Sequence, residues 1–388
     1  MSELALEKEK SQNPVNWQEF ASRYSVTILV VIGLVLIPVI TLVGAIPIET
    51  VNMLGRYMCF AIVAIGLDLL WGYTGILSLC QAFFFSLGGY AMGMYLAHHG
   101  GAGGATDAVG WDVPACLHVV SSSVDVELLP WFWKPFYHFL PAFLLGLLIP
   151  GVIAGILGYM VFRSRVRGVY FAILTQAITV AAYLVFSMNN MKLCGTNGLT
   201  NFDKILGHPL SENYVKLGLY IATVLALTGA YFLCRYIVNS RLGRILVAVR
   251  DDENTLRFSG YQPSYYKMFA FTVAAMLAGL GGMLYAPQMG IFTPSNMEAS
   301  ASIMVVIWVA VGGRGSLSGA VLGALVINLL YNYLTSERNF ALFTWKAEYW
   351  PIVLGLLFIG VVLIFPNGLI NLWHRLTGKV DPQAKQAQ

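Results

Sequence analysis

Charge is what this chain has least of. Only 11% of its 388 residues are Asp, Glu, Lys or Arg, against 57% hydrophobic residues and a mean hydropathy of +0.70. So little polar surface cannot cover that much apolar material in water, which excludes a soluble globule. The phosphate-cradling pattern G-x-x-x-x-G-K-[ST] is also missing, since Gly378-Lys379 lacks both the upstream Gly and the following Ser or Thr. No nucleophile elbow and no His pair at metalloprotease spacing occurs, so no catalytic residue and no metal site is assigned. His98-His99, followed by a Gly-Ala run, reads as an exposed loop edge.

Long apolar runs are present instead, near residues 26–46, 53–71, 75–97, 138–162, 169–188, 214–236, 267–289, 301–313, 317–335 and 351–371. The first would rise about 31 Å as a helix, matching the about 30 Å hydrocarbon core of a bilayer. The expected fold is an all-α polytopic membrane protein of about ten transmembrane helices. Most of the 23 Lys and Arg fall on one face if the N-terminus is inside, and the RSRVR run from Arg163 to Arg167 is the sharpest marker. The positive-inside rule therefore predicts both termini in the cytoplasm. Residues 1–25 form a polar cytoplasmic segment, read as an interfacial helix or a frayed tail rather than a secretory signal, and 372–388 a cytoplasmic tail.

Two glycine-rich stretches interrupt this pattern. GYTGILS at 72–78 and GGRGSLS at 312–318 share G-x-x-G-x-L-S, which fits either an internal repeat of the kind transporters use or convergent turns. Broken helices are expected at these elbows, because irregular backbone survives at membrane depth only where protein or a watery cavity surrounds it.

Charge gathers in one place. Between Arg241 and Arg257 seven formal charges sit between two apolar runs. At about 2.5–3.5 kcal/mol per charge at the bilayer centre, this 237–266 loop belongs in water. Leu242, Ile245, Leu246 and Val249 recur at i, i+3, i+4 and i+7, an apolar stripe on a helix, and Gly260 supplies a turn. Such a helix lies on lipid headgroups or docks on a partner.

Of the five Cys, Cys59, Cys80 and Cys234 lie in expected spans and act as small apolar residues. Cys116 and Cys194 fall in expected periplasmic loops, where an oxidising compartment permits a disulfide. The 98–137 insert combines Trp111, Trp131 and Trp133 with acidic residues, and reads as a docking surface or an aromatic belt.

The run SRLGRILVAVRDDE, with Gly260, Tyr266-Lys267 and AGLGGMLYA at 278–286, resembles the cytoplasmic loop and following span of permease subunits of branched-chain amino-acid type ABC importers. GYTGILSLCQAFFFSLGGY at 72–90 and VGGRGSLSGAVLGA at 311–324 resemble that family's early and late motifs, in the family's order, and the resemblance spans roughly residues 26–371. The arginine of VGGRGS, the ending AEYWPIVLGLLFIGVVLIFPNGL and the insert with LPWFWKPFYHFLPAF are most similar to the C-type permease of urea importers. Asp68 stands where the family commonly has Asn.

This resemblance implies a bacterial inner-membrane transport subunit, not an enzyme, with no cofactor of its own. Its implied partners are a second permease, two cytoplasmic ATPase subunits carrying ATP and magnesium, a periplasmic binding protein and membrane lipid, but no nucleic acid. Leu242, Leu246, Val249, Arg250, Asp251, Asp252, Glu253 and Gly260 are the expected ATPase-coupling residues, with Leu246 and Val249 in the partner's groove and the charges setting register.

Polar residues inside expected spans are candidates for the translocation path: Asp68, Ser78, Gln81, Ser86, Thr175, Gln176, Thr179, Asn328 and Asn332. Each also has a structural alternative in bonding its own helix or a neighbour. Amide groups such as Gln81 and Gln176 suit urea, the expected cargo, whereas a branched-chain amino acid is the alternative cargo. A stand-alone channel or secondary carrier, with Asp68 as its cation site, is the alternative mechanism.

Overall fold

A computed structural model describes residues 47–100, 129–164 and 168–335, together with Gly33, 37–42, Gly44, Pro114, Cys116, Leu117, Val166, Ile352, Gly355, Leu356, Ile359 and Gly360. The terminal segments, most of the 98–137 insert and most of the first and last expected spans lie outside the described residues.

The chain is helical: α1 (Ile37–Leu42), α2 (Ile48–Thr74), α3 (Gln81–His98), α4 (Phe139–Arg163), α5 (Val169–Ser187), α6 (Asn213–Asn239), α7 (Arg241–Asp251), α8 (Glu253–Phe258), α9 (Pro263–Met289), α10 (Ala299–Gly312) and α11 (Leu317–Thr335). Among the described residues six helices, α2, α4, α5, α6, α9 and α11, are long and apolar enough to cross a membrane. The ten spans of the sequence reading are therefore not all seen. α10 has 14 residues, about 21 Å, too short to cross the hydrocarbon alone.

α2 and α9 form the centre. Ile62, Ile65, Leu67, Leu69 and Leu70 of α2 are wholly buried, and α2 packs on α6, α9 and α11 while α9 packs on α3 and α4. Small residues let backbones touch: a Cβ on Gly88 of α3 would collide with the Gly279 carbonyl of α9, and one on Gly282 with the Phe85 carbonyl. Helix association in lipid relies on such close packing rather than on the hydrophobic effect. By contrast, Leu148, Val152, Ile156 and Met160 of α4 recur every fourth residue and are exposed, a stripe suited to acyl chains.

The expected helix starting at residue 75 begins only at Gln81. Residues 75–80 form a non-helical elbow, opened by Gly75 in the left-handed region (φ 75°), whose N–H closes α2 on the Trp71 carbonyl. Threonines of α5 satisfy the backbone freed there: Leu79 N–H donates to Thr175 Oγ1 at 3.0 Å, and the Thr179 hydroxyl, 2.9 Å from its own helix's Thr175 carbonyl, lies 3.0 Å from the Leu79 carbonyl.

The bundle has two distinct ends. One carries His98, a two-stranded hairpin (β1, Lys204–Ile205; β2, His208–Pro209) and a Cys116–Cys194 disulfide. There Leu199 and Phe292 exchange two backbone hydrogen bonds of 2.8 Å, tying the 199–210 loop to the turn after α9. The other end carries Thr74, Arg163, α7, α8 and the Gly313–Ser316 turn.

Candidate functional site

At that second end α7 and α8 form an arm. Ser240 caps α7 by accepting from Leu242 N–H at 3.1 Å. The apolar stripe read from the sequence turns inward: Leu246 and Val249 are buried, and α7 packs on α2, α6 and α9. These two residues therefore anchor the arm to the chain's own interior, and the groove-filling role expected of them is not available to their side chains. Leu242 is 39% exposed at the edge of the stripe.

The charges divide similarly. Arg250 donates to the Gly72 carbonyl at 3.0 Å and pairs with the exposed Asp251 at 3.0 Å. Asp252 caps α8, accepting from Asn254 N–H at 2.9 Å, Thr255 N–H at 3.3 Å and the Thr255 hydroxyl at 2.5 Å. Those bonds, the hydroxyl's first, hold its carboxyl below the ordinary value of 3.8. Glu253 pairs with Arg257 at 2.6 Å and with Lys267 of α9 at 2.7 Å. Gly260, at φ 84°, turns the chain toward α9. The sequence reading missed Phe258, which is 92% exposed at the tip of α8. An aromatic off the apolar stripe of a charged loop carries no periodic signal.

Beside the arm, the two glycine-rich motifs meet. Gly315 N–H donates to Asp68 Oδ1 at 2.7 Å, and the Tyr73 hydroxyl donates to the Gly315 carbonyl at 3.0 Å. Arg314 Nε donates to the Trp71 carbonyl at 3.2 Å, its guanidinium 5.1 Å from the Trp71 ring centre. A Cβ on Gly72 would lie 2.6 Å from Gly315 N, so only glycine admits this approach. Two arginines, Arg250 from the arm and Arg314 from the turn, thus take the C-terminal carbonyls of α2, where a helix leaves acceptors unpaired and favours cations. Asp68 lies in this joint, fully buried, with Oδ2 unpartnered among the described residues.

A cavity of about 210 Å³ lies between α2, α3, α10 and α11, lined by Phe60, Val63, Phe85, Met304, Trp308 and Asn328. Val63 is eleven residues from Thr74, the end of α2, or about 16 Å, near half the hydrocarbon thickness. Its polar contributors are few: Asn296, Asn328, Tyr331 and Trp308, whose Nε1 is buried without a partner among the described residues. Asn328 Nδ2 bonds the Ala324 carbonyl of its own helix at 2.7 Å. The N-terminus of α3 borders the cavity through Ala82, whose N–H donates to Ser302 Oγ of α10 at 3.2 Å.

The remaining path candidates separate. Gln81 and Ser86 are fully buried on α3, and both amide atoms of Gln81 and the Ser86 hydroxyl lack partners among the described residues. Gln176 has its Oε1 buried and unpartnered on α5. Ser78 lies within the elbow, 3.2 Å from Cys80 Sγ, and Thr175 and Thr179 brace that elbow. Asn332 is exposed on α11. Trp308 and Asn296 were missed, because a Trp in an apolar run reads as packing until its N–H is found unpaired.

At the opposite end His98 is not an exposed loop edge: it is buried, edge-on to the Trp133 and Tyr137 rings, with Nε2 3.4 Å from the Trp133 carbonyl. Trp133 is itself buried and donates Nε1–H to the Lys192 carbonyl at 3.0 Å, while Trp131 is 81% exposed. WFW thus has one structural and one surface tryptophan. The disulfide joins the insert to the loop containing Lys192, with Cα atoms 5.3 Å apart.

The profile of the family described as branched-chain amino acid transport system, permease component, matches residues 49–362. The chain is 25% identical over 367 residues to the high-affinity branched-chain amino acid transport system permease protein LivM of Salmonella typhimurium, covering 89% of this chain and 74% of that one. It is 25% identical over 343 residues to LivM of Escherichia coli, covering 83% and 70%. The autoinducer 2 import system permease protein LsrC of an Enterobacter species is 28% identical over 232 residues, covering 58% and 63%. No solved structure matches.

Proposed function

The chain belongs to the family of branched-chain amino acid transport system permease components, and from that premise we propose that its cargo is a small amino acid with an aliphatic side chain. The cavity at mid-depth carries the reading. Phe60, Val63, Phe85 and Met304 suit an aliphatic group, and its about 210 Å³ is below the about 300–1,000 Å³ of drug-sized pockets. The adjoining N-terminus of α3 favours a carboxylate, and the unpartnered Trp308 N–H supplies a further hydrogen-bonding group. Urea, the cargo expected from the likeness to C-type permeases, needs no apolar lining.

The partner set follows the family: a second permease, two ATPase subunits that hold ATP and magnesium, and a binding protein. The disulfide end faces the periplasm in this reading and the α7–α8 arm the cytoplasm, with both termini inside, which agrees with the charge bias and with the redox state of each compartment. The arm is the ATPase contact, through Phe258, Leu242 and the exposed carboxylates, and Arg250 links it to the end of α2.

The test is reconstitution of the chain with its genomic neighbours in vesicles, measuring which solute stimulates ATP hydrolysis. Leucine or isoleucine should stimulate and urea should not. Trp308→Phe should lower solute-stimulated turnover, and the melting temperature of the purified variant without solute separates a lost contact from a weakened fold. Stimulation by urea alone would overturn the cargo assignment.

A further inference from the structure

A second cavity, of about 410 Å³, lies at the arm's end of the bundle, between the last turns of α4 and the segment from α8 into α9. Its polar lining is cationic and phenolic: Arg163, Arg257, Tyr159, Tyr261 and Tyr265, with no carboxylate among the lining residues. Ser264 closes the floor by donating to the Phe162 carbonyl at 3.1 Å.

The two arginines differ in commitment. Arg257 uses one nitrogen on Glu253, at 2.6 Å, and keeps its other N–H groups. Arg163 contacts the Tyr159 hydroxyl and lies 5.4 Å from that ring's centre, and no carboxylate among the described residues pairs with it. The site therefore holds an excess of positive charge at the edge of the membrane.

The exposed apolar stripe of α4 ends at this cavity. From Leu148 to Met160 it runs twelve residues, about 18 Å, close to the about 15 Å depth of one leaflet's hydrocarbon. An apolar track of one leaflet's depth that terminates in guanidinium groups has the layout of a phospholipid, acyl chains first and phosphate last. A free phosphate would use the arginines and leave the track without purpose.

We propose that this cavity binds the phosphate headgroup of an anionic phospholipid, with Arg163 and Arg257 on the phosphate and the acyl chains along α4. Basic pockets at the cytoplasmic ends of membrane helices suit such headgroups, and guanidinium groups match phosphate oxygens in pairs. The site is separate from the mid-depth cavity, adjoins the tip of α8 through Arg257, and does not depend on the identity of the cargo.

The test uses the full-length protein purified in detergent, with dioleoyl phosphatidylglycerol, dioleoyl phosphatidylcholine or inorganic phosphate added separately, read by native mass spectrometry and by melting temperature. Phosphatidylglycerol should remain bound and raise the melting temperature, whereas phosphatidylcholine and inorganic phosphate should not. Arg163→Gln should weaken phosphatidylglycerol binding about tenfold, and Arg163→Lys, which keeps the charge but not the paired geometry, should fall between that variant and the wild type. Because Arg163 makes no ion pair with the described residues, its variants should fold, and an unchanged melting temperature without lipid checks this. Equal retention of the two lipids, unchanged binding in Arg163→Gln, or the same stabilisation by inorganic phosphate would each overturn the proposal. So would displacement of the lipid by the second permease on co-purification, which would make the α4 stripe a subunit interface.

Discussion

The backbone amide of Gly315 donates to the carboxylate of Asp68 at 2.7 Å, joining two points 247 residues apart. Around this bond the early and late glycine motifs close on each other, and Arg250 brings the charged arm to the same helix end. The arm and the Gly313–Ser316 turn therefore share one seat, the C-terminal end of α2.

Asp68→Leu should lower stability by about 1–3 kcal/mol, since it leaves a buried amide without an acceptor. Asp68→Asn retains a carbonyl oxygen facing Gly315 and should stay near wild type. Melting temperatures of the two purified variants check this, and equal losses in both would contradict the assigned bond. A cation-coupled carrier using Asp68 would instead lose transport in Asp68→Asn with its stability intact.

Glu253 joins α8 to α9 through Lys267, so Glu253→Gln should cost about 2 kcal/mol by weakening two charged hydrogen bonds. Asp251 is exposed and holds no second element, so Asp251→Asn should leave the melting temperature unchanged. Reversal of all three acidic residues would mix a folding defect with a docking defect.

Phe258→Ser should spare stability, because the ring is almost wholly exposed in the isolated chain. In the reconstituted importer it should reduce uptake per ATP hydrolysed by about tenfold if the ring fills a partner's pocket as buried interface aromatics do. Unchanged coupling would remove Phe258 from the contact.

The Asp252 cap predicts a pH response. Its carboxyl titrates below the ordinary value of 3.8, so its stabilisation of α8 is fully present above that value and is lost as pH falls through the lower, folded one. Amide exchange, corrected for its intrinsic pH dependence, should show residues 253–258 losing protection below about pH 4 in the wild type, and at all pH values in Asp252→Ala. Equal protection in both proteins would refute the cap.

Cys116 and Cys194 close a loop of 78 positions. In the chain-entropy account such a closure contributes up to about 4.5 kcal/mol, an upper bound where the bilayer already restricts the chain. Non-reducing mass spectrometry should recover the linked peptides, and reductant should lower the melting temperature of the wild type but not of Cys116→Ser.

Periodicity made α7 legible: Leu246 and Val249 share a face and are buried. It could not say that the face belongs to this chain and not to a partner, because burial depends on α2, α6 and α9, which are remote in sequence. Glycine marked both elbows, yet α2 runs on through Gly72 to Thr74 and the early elbow spans residues 75–80, where Thr175 and Thr179 pair with Leu79. Those threonines read as path residues in the sequence. Their partners lie 96 and 100 positions away, a distance at which no local pattern reports. Gln81 and Trp308 share one property invisible in sequence, a buried polar atom that nothing described satisfies.

Gly88 and Gly279 leave no side chain between α3 and α9, and Gly282 meets the Phe85 carbonyl one turn away. Where main chain meets main chain at this crossing, any added side chain would strike the facing backbone, so the glycines fix how closely α3 and α9 approach. The rings of Phe60, Tyr285 and Trp308, 5.0–5.2 Å from centre to centre around Phe60, join α2 to α9 and α10 through side chains instead.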